Sequence, residues 1–217
     1  MAEKHITYYN LLDAFKTEGC PICNVISKNV ENYFDSLIYE NINNYKFVER
    51  FNSDLGFCDY HSYKFIEYND GLAIALTYKD VLKEFINLLE HKELKNFSKN
   101  SNKNCIICDL IREAEERYIN IFKEFINDIE FTSALLQSEG LCIPHLKLLL
   151  QNVKKIPQEI IKFHINNYKK AEKILYKYID SRNASLGNKK PELTQEEKNI
   201  VQKSIKIIYG DKNTLHY

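Results

Sequence analysis

Apolar residues recur along this chain every three to four positions, the period of a helix with one face turned inward, and no segment alternates with the period of a strand. Tyr8, Leu11, Leu12 and Phe15 mark a first helix that Gly19 ends. A second helix is expected from Ile22 to about Tyr39, through Val25, Ile26, Val30, Phe34, Leu37 and Ile38. A shorter helix should stop near Leu55-Gly56, another should follow past His61 with Phe65 and Ile66 inward, and a longer one should run from Leu72 to about Leu89 after the turn signal Asn69-Asp70-Gly71. In the second half a long helix is expected over Ile106 to Ile129, with Glu113, Glu116 and Arg117 on its outer face. Phe131 to Ser138 should form a short helix before Gly140, and a long one should run from Pro157 to about Ile179. After a loop from Ser181 to Pro191, Thr194 and Glu197 read as a capping box opening a last helix that ends at Gly210.

Composition fits this all-α reading, because the 217 residues include only six glycines and four prolines. Thirty basic side chains balance thirty acidic ones, so no global field draws the molecule to nucleic acid or an anionic membrane. The longest basic pieces are doublets such as Lys154-Lys155 and Lys189-Lys190. No apolar run approaches the roughly 20 residues that span a bilayer. The first twelve residues mix Glu3, Lys4 and His5 with apolar positions, unlike a signal peptide, and a cytoplasmic location is expected. In a reducing compartment the six cysteines read as metal ligands or reactive thiols, not as a disulfide framework.

The cysteines fall in a repeated pattern. At an offset of 85, Cys20-Pro21-Ile22-Cys23 superposes on Cys105-Ile106-Ile107-Cys108, and Tyr33 on Tyr118. At an offset of 84, Phe47 falls on Phe131, and Gly56-Phe57-Cys58-Asp59-Tyr60-His61 falls on Gly140-Leu141-Cys142-Ile143-Pro144-His145. Six cysteines scattered at random would give about 0.2 Cys-x-x-Cys pairs in such a chain, so two of them in register with two Cys-x-x-His pairs are not scatter. The chain is therefore read as an internally duplicated helical bundle: repeat 1 over 1–94, a polar linker over 95–104, repeat 2 over 105–180, and a C-terminal loop and helix over 181–217.

Three thiolates and one imidazole satisfy the four tetrahedral positions of zinc, and Cys-x-x-Cys brings two sulfurs to one ion from a tight turn. Two zinc sites are expected, one per repeat: Cys20, Cys23, Cys58 and His61 in the first, Cys105, Cys108, Cys142 and His145 in the second. Each Cys-x-x-His should open a helix, after a glycine at 56 or 140 that lets the chain turn sharply. Such a closed shell is structural and contributes to folding. An iron-sulfur cluster or a thiol-redox pair on the same cysteines is the alternative. Covalent haem is excluded because Asn24 and Asp109, not histidines, follow the Cys-x-x-Cys pairs.

His5, His91 and His216 read as solvated and His164 as a packing histidine; Glu115-Glu116 shows nothing beyond ordinary helix surface. No phosphate loop or nucleophile elbow is present, so the expected role is binding or regulation, not catalysis, with a protein or small ligand of unknown identity as partner.

The motifs Cys-Pro-Ile-Cys, Gly-Phe-Cys-Asp-Tyr-His, Cys-Ile-Ile-Cys and Gly-Leu-Cys-Ile-Pro-His resemble those of a bacterial family known as domain of unknown function 6062. The resemblance covers nearly the whole chain. It implies a helical body carrying the paired motifs, followed by a loop and a terminal helix similar to Asp180 to Gly210, and it implies no established enzyme activity.

Overall fold

The computed structural model describes residues 4–93, 105–182, 191–212 and 214, and among them the regular structure is helical, with no strand. The expected linker over 95–104 and His216 lie outside the described residues, as do residues 183–190 of the expected loop. Ser181 belongs instead to the end of a helix.

Among the described residues eleven α-helices follow in order: α1 (Ile6–Ala14), α2 (Pro21–Ser36), α3 (Tyr45–Ser53), α4 (Asp59–Ile66), α5 (Gly71–Glu90), α6 (Ile106–Phe125), α7 (Ile129–Gln137), α8 (Ile143–Asn152), α9 (Gln158–Arg182), α10 (Gln195–Lys198) and α11 (Ile200–Tyr209). A π-helical turn, Leu37–Asn41, prolongs α2.

Three expectations change in detail. The long helix through Ile129 stops at Phe125, because the Asp128 carboxylate accepts from the Phe131 amide at 3.0 Å and caps a new helix; Ile129, now in the first turn of α7, is 85% exposed. The last helix is broken at Asn199 into α10 and α11, with the Thr194/Glu197 capping box present as expected. On α5 the buried stripe is Ala73, Thr77 and Val81, while Leu72, Leu82, Ile86 and Leu89 are exposed, as is Ile66 on α4.

The chain divides into two compact units: residues 1–27 with 115–215, and residues 28–114. The boundary falls inside α2 and α6, so each unit takes the Cys-x-x-Cys of one repeat and the Cys-x-x-His of the other. In the first unit Tyr8 and Leu11 of α1 and Phe15 at its C-cap pack with Phe122, Phe125 and Phe131, and the aromatic rings meet edge-on or tilted at 4.7–6.4 Å. The second has its own aromatic core of Phe34, Phe47, Phe51, Phe57 and Phe65, with Phe34 stacked on Phe65 at 5.7 Å. Two separate aromatic cores give each unit a rigid base on which a set of thiols can be held.

Candidate metal centres

Cys58 and Cys142 stand in extended conformation at the N-caps of α4 and α8, with ψ of 165° and 163°, and neither sulfur caps its own helix. Both sulfurs are thus turned to other partners. His61 and His145, three residues on, sit on the same side of the first turn and are fully buried. Cys20 and Cys105 immediately precede α2 and α6, and Cys23 and Cys108 lie one turn inside. Every thiol therefore sits at a helix N-terminus, where unpaired amides and the helix dipole favour the thiolate.

The structure brings together all eight residues singled out from the sequence, but not in the expected groups. Cys20, Cys23, Cys142 and His145 converge in the first unit, and Cys58, His61, Cys105 and Cys108 in the second; in each set the ligand atoms lie within 4.8 Å of one another. The grouping by repeat is corrected: each centre takes Cys-x-x-Cys from one repeat and Cys-x-x-His from the other. The physical reason is that α2 and α6 each run from one unit into the other, carrying their N-terminal thiols away from the rest of their own repeat.

The internal geometry is nearly the same in both. His145 Nδ1 lies 3.4 Å from Cys20 Sγ, 3.4 Å from Cys23 Sγ and 3.1 Å from Cys142 Sγ, and Cys23 and Cys142 are 3.8 Å apart. His61 Nδ1 lies 3.1, 3.5 and 3.4 Å from the sulfurs of Cys58, Cys105 and Cys108, and Cys58 and Cys108 are 3.7 Å apart. No disulfide joins these cysteines. Three ionised sulfurs at such separations repel one another, and all three ionise together only around a cation. The proton-sharing accords with this: hydrogen bonds from Cys142 and Cys20 hold the Cys23 thiol well down, and those from Cys108 and Cys58 do the same for Cys105, while burial pushes Cys20 up. Each set of three thiols and one imidazole could hold a metal ion.

Around these centres lie residues that hold the loops. Gly56 and Gly140, with φ of 97° and 82°, make the turn before each Cys-x-x-His. A Cβ on Gly140 would stand 3.0 Å from Phe163 and 3.1 Å from His164 Nε2; one on Gly56 would stand 3.3 Å from Tyr78. His164 is buried, as a packing histidine should be, and it also bonds: Nε2 accepts from the Leu141 amide at 2.9 Å and Nδ1 lies 2.8 Å from the Ile160 carbonyl. Tyr168 donates to the Leu141 carbonyl at 2.8 Å, so both backbone polar groups of Leu141, the residue before Cys142, are fixed from α9. In the second unit Tyr78 donates to Ser62, which donates to the Phe57 carbonyl.

Sequence reasoning missed Glu115, which is 3% exposed and places Oε1 3.4 Å from His145 Nε2. Ile111, Ala114, Tyr118, Ile119, Ile121 and Phe122 are the other buried positions of that stretch of α6, so helical spacing alone marks Glu115 as inward. Also missed was the end of the chain: the Asp211 amide and the Thr214 hydroxyl each donate to Cys23 Sγ at 3.4 Å. No sequence signal distinguishes those two residues from an ordinary polar tail.

The family model for the family of unknown function DUF6062 matches residues 1–186. The chain belongs to that family. It is also similar to an uncharacterized 23.9 kDa protein encoded in the xynA 3' region of Caldicellulosiruptor sp. (strain Rt8B.4), at 26% identity over 148 residues, which is 67% of this chain and 72% of that one. No solved structure matches. None of the described helices is long and apolar enough to cross a membrane. The family match ends before α10 and α11, so the residues that reach Cys23 from the chain's end lie outside it.

Proposed function

We propose that this protein is a duplicated helical scaffold held by two structural zinc ions, one bound by Cys20, Cys23, Cys142 and His145 and the other by Cys58, His61, Cys105 and Cys108, and that it serves in binding or regulation. The observation that carries the reading is the spacing of the sulfurs. Zinc bonds of about 2.3 Å to sulfur and 2.0–2.1 Å to nitrogen give a tetrahedron with S···S edges of about 3.8 Å and S···N edges of about 3.5 Å. The Cys23–Cys142 and Cys58–Cys108 separations of 3.8 and 3.7 Å match the sulfur edge, the 3.1–3.5 Å from sulfur to nitrogen lie at or just inside the other, and all ligand atoms of each set lie within 4.8 Å of one another.

The same spacing bears on the alternatives. An iron-sulfur cluster distributes its ligands over several irons and holds them farther apart than two bonds meeting at one ion allow. A redox-active pair on either Cys-x-x-Cys would have to work with a third thiol and an imidazole packed against it. Four protein ligands leave no position for a substrate or water, which favours a structural over a hydrolytic role. An all-helical body with zero net charge and no phosphate-binding loop supports a partner that is a protein or a small ligand rather than nucleic acid.

Elemental analysis of the purified chain tests the reading: two zinc per chain, no visible chromophore, and loss of helical structure on adding a strong chelator are expected. A folded protein free of both zinc and iron, or a brown preparation containing iron and sulfide, overturns it.

A further inference from the structure

Helix α11 packs against α9 and against α8, the helix that carries His145, and the chain then turns back toward Cys23. The turn has a local cause. Gly210 closes α11 by donating its amide to the Lys206 carbonyl at 2.9 Å, with a φ of 80° that favours glycine. Beyond it the Thr214 amide donates to the Asp211 carbonyl at 3.0 Å. The Asp211 carboxylate is held at 3.5 Å by the Lys206 ammonium and at 3.5 Å by the Ser27 hydroxyl of α2. Two donors are thereby aimed at one sulfur, since the Asp211 amide and the Thr214 hydroxyl each lie 3.4 Å from Cys23 Sγ. Thr214 is fully buried and Cys23 is 2% exposed, so water replaces neither bond. The Thr214 hydroxyl also lies 2.9 Å from the Asp211 carbonyl, and its one proton is shared between that oxygen and the sulfur.

We propose that residues 210–214 form a clasp on the centre of Cys20, Cys23, Cys142 and His145, in which Asp211 and Thr214 are positioning residues for Cys23, and that metal binding at this centre is coupled to docking of the clasp. The inference rests on the reading of that set as a metal site. Donors aimed at an ionised ligand atom stabilise it and fix its direction, and outer partners of this kind are worth about 10–100-fold in metal affinity. The coupling is reciprocal: the factor by which the docked segment strengthens metal binding is the factor by which bound metal strengthens docking. Occupancy of a buried centre is thereby conveyed to a segment that carries the exposed Lys212. Metal supply then has a route from Cys23 to the protein surface.

The test uses the zinc-loaded full chain, titrated with a chelator in the presence of an alkylating reagent, with the modified cysteines located by peptide mass mapping so that Cys23 is read directly. Thr214→Val keeps the shape and removes the donor, and Thr214→Ser keeps the donor. In Thr214→Val the chelator concentration that exposes Cys23 to alkylation should fall by about 10-fold, and in Thr214→Ser it should stay near that of the natural protein. A role in packing alone would lower the melting temperature of both variants and leave Cys23 equally protected at temperatures where both are folded. A second measurement needs no variant: in the natural protein loaded with cadmium-113 in place of zinc, a proton–cadmium correlation should connect an ion to the Asp211 amide through its N–H···S bond. Absence of that correlation, unchanged protection of Cys23 in Thr214→Val, or the same loss in Thr214→Ser as in Thr214→Val each overturn the proposal while leaving metal binding intact. A natural protein that takes up neither zinc nor cadmium removes the site itself, and its stoichiometry tells that result apart from the others.

Discussion

Cys23 and His145 are separated by 122 positions in the chain and by 3.4 Å in space. A ligand pair so distant in sequence makes each centre a tie between the two repeats, and that arrangement has a clear signature in mutational coupling. Cys20→Ser and Cys142→Ser strike the same centre, so the double variant should be scarcely less stable than either single one. Cys105→Ser with Cys142→Ser strikes both centres, and the losses should add. Each lost centre should cost about 3 kcal/mol or more, a fall in Tm of roughly 6–12 °C for a chain of this size. Zinc content should fall to about one ion per chain in the first double variant and to none in the second. Additive loss in the Cys20/Cys142 pair would contradict the crosswise grouping.

Gly140→Ala places a Cβ 3.0 Å from Phe163 at a backbone φ of 82°. The strain and the clash together should cost about 1–3 kcal/mol. Gly71→Ala, where nothing stands within 4 Å, is the control and should stay within about 0.5 kcal/mol of the natural protein. Urea denaturation of the three proteins checks this, and equal midpoints would show that the turn tolerates a side chain.

Burial holds the His164 imidazole below its ordinary value, against a smaller opposing effect of its bond to the Ile160 carbonyl. The sign follows: a histidine depressed in the folded state contributes stability that is whole above its unfolded value near 6.5 and is lost as pH falls through the folded value. Protonated Nε2 also ceases to accept from the Leu141 amide. The natural protein should therefore lose stability between about pH 7 and pH 5 more steeply than His164→Gln, measured by urea denaturation at matched zinc. Parallel curves would remove His164 from the acid response.

Thr214 is fully buried and donates to Cys23. Thr214→Val keeps the volume and deletes both this bond and the one its hydroxyl shares with the Asp211 carbonyl at 2.9 Å, and should cost about 1 kcal/mol. The loss should appear in zinc-loaded protein and shrink in protein stripped of metal, where the sulfur can be a neutral thiol and accepts more weakly. A loss of the same size in both forms would indicate packing alone.

Helix positions and all eight residues of the two centres were legible in the chain because periodicity and motif spacing are one-dimensional properties. The breaks at Asp128 and Asn199 were not, since the apolar pattern continues through both; at Asp128 a side-chain cap overrides it. The grouping of ligands was hidden for a different reason. Two identical motif pairs can close within repeats or across them with the same spacing, and only the course of α2 and α6 decides. Glu115 stands in the run Glu113, Glu115, Glu116, Arg117, which reads as solvated surface; its distance of four residues from both Ile111 and Ile119 is the clue that it faces inward.

The crosswise ties also impose an order of assembly during synthesis. The contact between Cys58 and Cys108 spans 50 positions and lies wholly inside the 119 spanned by the contact of Cys23 with Cys142, so one ring is nested in the other. Closing the larger ring costs only about 0.8 kcal/mol more in chain entropy. Translation imposes the stronger constraint: at about 5–20 residues per second, Cys23 leaves the ribosome roughly 6–24 s before Cys142. Through that interval the first Cys-x-x-Cys of the nascent chain is without Cys142 and His145, the two residues with which it clusters in the folded protein.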